Sequence, residues 1–285
     1  MAWEKRFSLP KFMIYCILLL VFVIMAYPFF YVLSLAIMPY DEYVKQAVHA
    51  FPSGFTTLYF EQILQDGRLV HAFQISIAKT LVGTVLNVLI TIMAGYALSR
   101  PQLKYGRLLT ALFIIPIFVN GGLIPAYLNI RGLGLLNTFW ALILPGLVSP
   151  FLLIITRTFF MEYPQELIES AIIDGATQLG VFLRVIVPTS TPIIATLAML
   201  YGVGHWNDYF WPSIVVQADL HPASVILQNM VNNRQVLQGI GQGMQLASQS
   251  YIAAIAALLI IPVLVIYPFL QRYVVKGILL GSVKG

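Results

Sequence analysis

From Phe12 to Tyr40 the chain carries no charged side chain, and five further stretches are as poor in charge. A bilayer core takes about 20 apolar residues per helix. The charge-free runs 80–99, 108–130 and 132–156 meet that length, as does 188–216, which contains His205 and Asp208. The last lies within 235–271, with its apolar part at 251–270. Six transmembrane helices are expected, at about 12–38, 77–99, 108–130, 134–156, 188–215 and 250–270, forming one membrane domain over 1–285. Composition agrees, with 59% hydrophobic and 9% charged residues, against about 25% charged in soluble domains. Continuous apolar runs exclude an outer-membrane barrel, whose strands alternate in short segments. The expected class is therefore an all-α integral membrane protein.

The first run has features of a signal peptide. Lys5, Arg6 and Lys11 lead it, and Ser34-Leu35-Ala36 resembles a cleavage site. It is longer than an ordinary signal core, so it reads as an uncleaved span. Placement of Lys and Arg orients the helices. Lys5, Arg6, Lys11, Arg100, Lys104, Arg107, Arg157, Arg184, Arg272, Lys276 and Lys284 fall on one side, and only Lys45, Arg68, Arg131 and Arg234 on the other. Both termini are expected in the cytoplasm. The net charge of +5 then reflects topology and calls for no nucleic acid. Lys79 sits at a span edge, where a lysine can snorkel. Cys16 is the single cysteine, and the four histidines show no ligand spacing, so no metal site is expected.

Two loops exceed what a hairpin needs, a cytoplasmic one at 157–188 and an extracytoplasmic one at 217–249. In the first, Pro164 can open a helix, and Leu167, Ile168, Ala171 and Ile172 share one face. Gly175 permits a left-handed end, and a second short helix is expected to stop before Pro188. Such a pair suits either a partner's groove or the lipid interface. The second loop is rich in Gln, Asn and Gly; a solvated connector would have that composition too. Asp208 is the only acid well inside an apolar run, which makes it a functional candidate by default. A structural hydrogen-bond network is the competing reading, and Asn87 and Asn120 suit packing of the same kind. Pro28, Pro116, Pro145, Pro192 and Pro262 are expected to mark kinks or breaks.

Glu169-Ser170-Ala171, then Asp174-Gly175-Ala176, then Val185-Ile186-Val187-Pro188 resembles the EAA loop of ABC importer permeases. Ser stands for the first Ala of that pattern, and Val for its Ile and Leu. Gly204-His205-Trp206-Asn207-Asp208-Tyr209 is similar to a stretch in the fifth span of carbohydrate permeases, the smaller maltose-type subunit above all. The tail Lys276 to Gly285 looks like the branch that imports complex oligosaccharides.

The resemblance implies the type I importer permease fold and a bacterial inner-membrane location. It implies a partner permease, a heterodimer by family analogy, and two ATPase subunits that bind ATP and magnesium. It also implies an extracytoplasmic solute-binding protein that delivers an oligosaccharide, within the membrane lipid. Glu169, Ser170, Ala171, Asp174, Gly175, Ala176 and Pro188 would couple the permease to the ATPase. Trp206, Asn207, Asp208, Tyr209 and Asn120 are pathway candidates, and Asn229, Asn232, Asn233, Gln238 and Gln242 candidates for touching the binding protein. No catalytic residue and no cofactor is expected on this chain. It lacks the Gly-x-x-x-x-Gly-Lys loop that cradles nucleotide phosphates. An importer of polyamines or phosphonates shares the EAA loop, and an ion-coupled carrier using Asp208 is a further alternative. The sequence does not name the sugar, and an alginate-type acidic oligomer is compatible with it.

Overall fold

The computed structural model describes residues 9–45, 52–119, 121–237 and 242–282; for 9, 40, 43, 44, 233–237, 242–248 and 270–282 it describes the backbone alone. Among the described residues every regular element is helical. In chain order the helices are α1 (Leu9–Ile37), α2 (Tyr40–Lys45), α3 (Leu58–Gln65), α4 (Gly67–Ser99), α5 (Gly106–Phe118), α6 (Leu123–Gly132), α7 (Pro150–Met161), α8 (Gln165–Ile173), α9 (Gln178–Val181), α10 (Val187–Thr189), α11 (Thr191–Asn207), α12 (Phe210–Val215), α13 (Ala223–Leu237) and α14 (Gln242–Ser282). Tight turns at Phe139–Leu142 and Leu144–Gly146 precede α7, and a wide turn at Phe182–Ile186 joins α9 to α10.

Two compact units share these elements, one of residues 1–67 and 227–261, the other of 68–226 and 262–285. In the first unit α1 is apolar right round, and its most hydropathic window buries none of its residues within the chain. Lipid can cover such a helix on every side. The amphipathic α3 instead turns Tyr59 and Ile63 inward. On the α14 portion the buried residues are small or branched, Ala253, Ala254, Ile255 and Ala257.

The second unit is organised on α4. Its 33 residues make a rod of about 50 Å at 1.5 Å per residue. The helix starts at Gly67, ten residues before the expected boundary at 77. Other expected spans are broken. The stretch 108–130 divides into α5 and α6 around Gly122, whose φ of +86° favours glycine. With 13 residues, α5 alone spans about 20 Å. The stretch 134–156 becomes the tight turns and α7, with a 51° bend between them. Ser149 opens α7 by accepting the Leu152 N–H. The segment 188–215 ends α11 at Asn207 and restarts as α12, and a 77° bend separates α11 from the segment before it. Charge-free runs show where lipid is tolerated; they do not show where glycine and proline interrupt the helix.

Candidate functional site

The segment 157–188 forms two short helices around a left-handed glycine. Pro164 precedes α8, and Glu166 lies in its first turn, where a carboxylate suits the positive end of the helix. At the far end Ala176 N–H donates to Ala171 O at 3.0 Å and Gly175 N–H to Ile172 O at 3.0 Å. This pair of bonds is a Schellman motif, and Gly175 occupies its left-handed position at φ +84°. Thr177 then caps α9 by accepting the Gly180 N–H at 3.1 Å.

The expected common face of α8 is divided. Ile168 is buried, and Ala171 and Ala176 pack with it against Val181, Phe182 and Ile186. Leu167 and Ile172 flank that contact and stay exposed, and Ile173 is 84% exposed at the tip. An apolar surface including Leu179 therefore remains uncovered. Glu169, Ser170, Asp174 and Gly175 are also exposed, and Glu169 has no ion-pair partner among the described residues.

The second helix does not stop before Pro188. It widens at Phe182–Ile186, continues through Val187–Thr189, and breaks at Ser190. The Val187 N–H reaches back to Phe182 O, which shifts the ladder by one residue. Pro188 then stands in the first turn of α10, where its missing N–H costs nothing. Tyr163 and Thr189 close the base of the knob through their hydroxyls, 2.8 Å apart. Tyr96 braces it from α4, stacked near Phe160 and Phe182 and beneath the Arg100 guanidinium. Arg100 also donates to Gln165 Oε1 at 3.2 Å.

A second constellation runs along one face of α4, where Ser76, Lys79, Gly83, Asn87, Thr91 and Gly95 are all buried. Each meets a neighbouring helix or an interrupted span. Asn87 donates through Nδ2 to Gly146 O at 2.7 Å, and its Oδ1 accepts from His205 Nε2 at 3.3 Å. Thr91 meets the Tyr201 hydroxyl at 2.8 Å, which in turn accepts the Ser149 N–H at 3.0 Å. Thus both sides of the 146–149 break find partners. Gly83 and Gly95 provide close approach, to His205 and to Thr156 respectively.

Lys79 corrects the sequence reading. It does not snorkel; it is fully buried, with Nζ 2.8 Å from Asp208 Oδ2. Asp208 is accordingly no solitary acid. Its Oδ1 accepts the Trp211 N–H at 3.3 Å, and its carbonyl accepts from Lys79 Nζ at 3.4 Å and Ser224 Oγ at 3.0 Å. A buried ammonium is tolerated when it finds both a counter-ion and hydrogen-bond acceptors, and half-buried Asp208 supplies both to Lys79.

The remaining pathway candidates do not converge on Asp208. Asn207 and Tyr209 are exposed. Trp206 lines an apolar cleft of about 450 Å³ with Ile77 and Thr84 of α4, Met199 of α11 and Tyr267 of α14. Asn120 lies outside the described residues. Lys79 was missed because a charge at the edge of an apolar run resembles an anchor. The signal that could have found it is the polar and small stripe from Ser76 to Gly95, spaced by three and four residues.

The described part of the segment 217–249 is largely helical. Ala223–Leu237 forms α13, and α14 begins at Gln242. Asn229 and Asn232 are exposed on α13, and Gln228 donates to Asn232 Oδ1 at 3.0 Å. Gln238 and the side chains of Asn233 and Gln242 lie outside the described residues.

A family profile described as binding-protein-dependent transport system inner membrane component matches residues 5–280. The chain is 37% identical over 262 residues to protein LplC of Bacillus subtilis, covering 90% of this chain and 89% of that one. It is 34% identical over 278 residues to the polygalacturonan/rhamnogalacturonan transport system permease protein YtcP of the same organism, covering 96% and 97%. A crystal structure of a bacterial ABC transporter involved in import of the acidic polysaccharide alginate contains a similar chain. That chain superposes with a TM-score of 0.85 at 25% identity, covering 96% of this chain and all of the other.

Proposed function

Because the chain belongs to the family of binding-protein-dependent transport system inner membrane components, we infer that it is the membrane permease subunit of an ATP-driven importer of oligosaccharides. The family subunit is a membrane component and not itself a catalyst. Hydrolysis then falls to two ATPase subunits that carry ATP and magnesium. A second, homologous permease completes the pathway as a heterodimer, and a solute-binding protein delivers the sugar from outside. In this reading both termini face the cytoplasm of a bacterial inner membrane, an orientation that the distribution of Lys and Arg supports. Similarity to permeases of pectic polysaccharides, and to an importer of alginate, makes uronate-containing oligomers the first cargo to test.

The observation that carries the coupling role is the uncovered apolar tip of the 164–188 knob. Ile172, Ile173 and Leu179 project from a turn that a Schellman motif and the Tyr163–Thr189 contact hold in shape. An apolar knob with a fixed backbone suits a groove in a partner chain. Glu169 beside it would meet a basic group there, with Ser170, Ala171, Asp174, Gly175, Ala176 and Pro188 shaping the contact. ATP-driven closure of the ATPases would then move the knob and the spans continuous with it. Asn229, Asn232, Asn233, Gln238 and Gln242 are candidates for the binding-protein face. Asn207, Tyr209, Trp206 and Asn120 remain pathway candidates. Asp208 is neutralised by Lys79, which removes the free acid an ion-coupled carrier would use.

The test is purification of the tagged chain in mild detergent, followed by ATPase assay with binding proteins loaded with candidate oligouronates. Co-purification of an ATPase and a second permease, with hydrolysis stimulated by one loaded binding protein, is expected. A lone chain from a preparation that keeps a known importer intact refutes the reading.

A further inference from the structure

One end of α4 holds the starts and ends of three other helices. Ser76 accepts the N–H of Ala223, the first residue of α13, at 2.9 Å. Lys79 lies three residues on, and its ammonium takes both the carboxylate and the carbonyl of Asp208, at 2.8 and 3.4 Å. That carbonyl is also gripped by Ser224, the second residue of α13, at 3.0 Å. The Asp208 N–H closes the last turn of α11 on Gly204 O at 3.1 Å, and its Oδ1 takes the Trp211 N–H of α12. Asp208 is therefore bonded to α4, α11, α12 and α13 at once.

Neutralising a buried lysine requires a carboxylate alone. This arrangement does more, because Lys79 shares with α13 the carbonyl left open where the fifth span is interrupted. The other end of α11 is Thr191, directly after the 164–188 knob. Its 17 residues form a rod of about 25 Å between the Asp208 junction and that knob. A displacement of the first turn of α13 reaches that end of the rod through the Ser224–Asp208 hydrogen bond, at a carbonyl and carboxylate that Lys79 holds in place.

We propose that Lys79 and Asp208 are positioning residues that form a joint, passing displacement of α13 by the loaded binding protein into α11 and so to the cytoplasmic knob. The proposal rests on the importer reading above, in which the 217–249 segment faces the binding protein.

The experiment uses the complete complex in lipid nanodiscs. ATPase activity is measured without binding protein and with saturating binding protein loaded with its oligosaccharide, and the ratio is the readout. Ser224→Ala removes one hydrogen bond and is expected to lower the ratio about threefold. Lys79→Met removes the counter-ion of a half-buried carboxylate together with the ammonium contact to the Asp208 carbonyl, and is expected to lower it about tenfold. In both, basal ATPase stays within about twofold of wild type, since neither residue lies at the ATPase contact. Lys79→Arg keeps the cation and restores most of the ratio. Wild-type ratios in Ser224→Ala and Lys79→Met overturn the joint. Basal and stimulated rates that fall together also overturn it, because a simple brace would behave so. Should the Lys79→Met complex fail to assemble, Ser224→Ala decides by the same criterion. Absence of stimulation in the wild-type complex, with every loaded binding protein, overturns instead the importer reading and the joint with it.

Discussion

Replacing Gly175 should uncouple transport in a graded order that follows from its backbone. Its φ is +84°, and a Cβ built there meets nothing within 4 Å. Substitution by Ala is thus free of collision and tests the left-handed conformation alone, at about 1–2 kcal/mol. Asn tolerates that region better and should cost less. Pro fails on three counts. Its φ is fixed near −65°, about 150° from the native value. It removes the N–H that donates to Ile172 O at 3.0 Å. Its ring also disfavours the helical conformation that Asp174 holds at φ −73°, ψ 7°. The Schellman turn cannot survive, and the second bond, Ala176 N–H to Ala171 O, goes with it. Two lost bonds at about 1 kcal/mol each, with the forced reorientation, bring the cost to at least about 3 kcal/mol. That corresponds to a native turn populated about a hundredfold less, against roughly five- to thirtyfold for Ala. Uptake of labelled oligosaccharide per ATP hydrolysed, measured in proteoliposomes, should fall in the order Gly, Asn, Ala, Pro. Insertion should be unchanged, because the turn lies outside every apolar stretch. A Gly175→Pro complex with wild-type uptake and wild-type stoichiometry refutes the reasoning.

Tyr201→Phe leaves the Ser149 N–H without its acceptor at the break before α7; a loss of about 1–3 kcal/mol should appear as a lower Tm in detergent with unchanged expression. Gly83→Ala places a methyl 2.5 Å from His205 Nε2, so it should destabilise by about 1–3 kcal/mol. Adding His205→Ala should recover part of that loss, and additive losses in the double variant would remove the steric explanation. Ile173→Asp, at the 84% exposed tip of the knob, should weaken association with the ATPase about ten- to a hundredfold without altering Tm. Equal affinity for both chains in a binding assay would show that the tip is not the docking surface.

Much of the class was legible because lipid imposes a coarse requirement. A run such as 12–40 has no soluble alternative, and α1 duly spans Leu9–Ile37. The turn at Gly175 was legible because only glycine commonly takes a left-handed helix end. The break at Asp208 was not. Sequence shows an acid within an apolar run, but its partner Lys79 stands 129 residues away. The interruption at 146–149 was hidden for the same reason. Its carbonyl and N–H are met by Asn87 and by Tyr201, side chains from other spans, and no local pattern couples those positions. The divided face of α8 was misread because spacing alone gives neighbours on a helix and not the side on which the chain folds back. Ala171 and Ala176 turned toward Phe182 and left Leu167 and Ile172 at the margins.

The two missed breaks, at 146–149 and at Asp208, have one physical origin. An interrupted helix in a bilayer leaves backbone donors and acceptors that water cannot reach, so another chain segment must supply the partners. Here α4 supplies a large share. It stays continuous for 33 residues while spans beside it break, and its buried face carries a polar or small residue on almost every turn. Asn87 serves the break at Gly146, and Lys79 the break at Asp208. Gly83 and Gly95 let neighbouring helices approach closely enough for those bonds to form. Continuity in one helix is therefore what permits discontinuity in the others. Two of the interrupted spans, 134–156 and 188–215, flank the 164–188 knob, and the second leads into α13. A straight apolar helix in place of α11 and α12 would need no Lys79, and it would offer no carbonyl at Asp208 for α13 to hold.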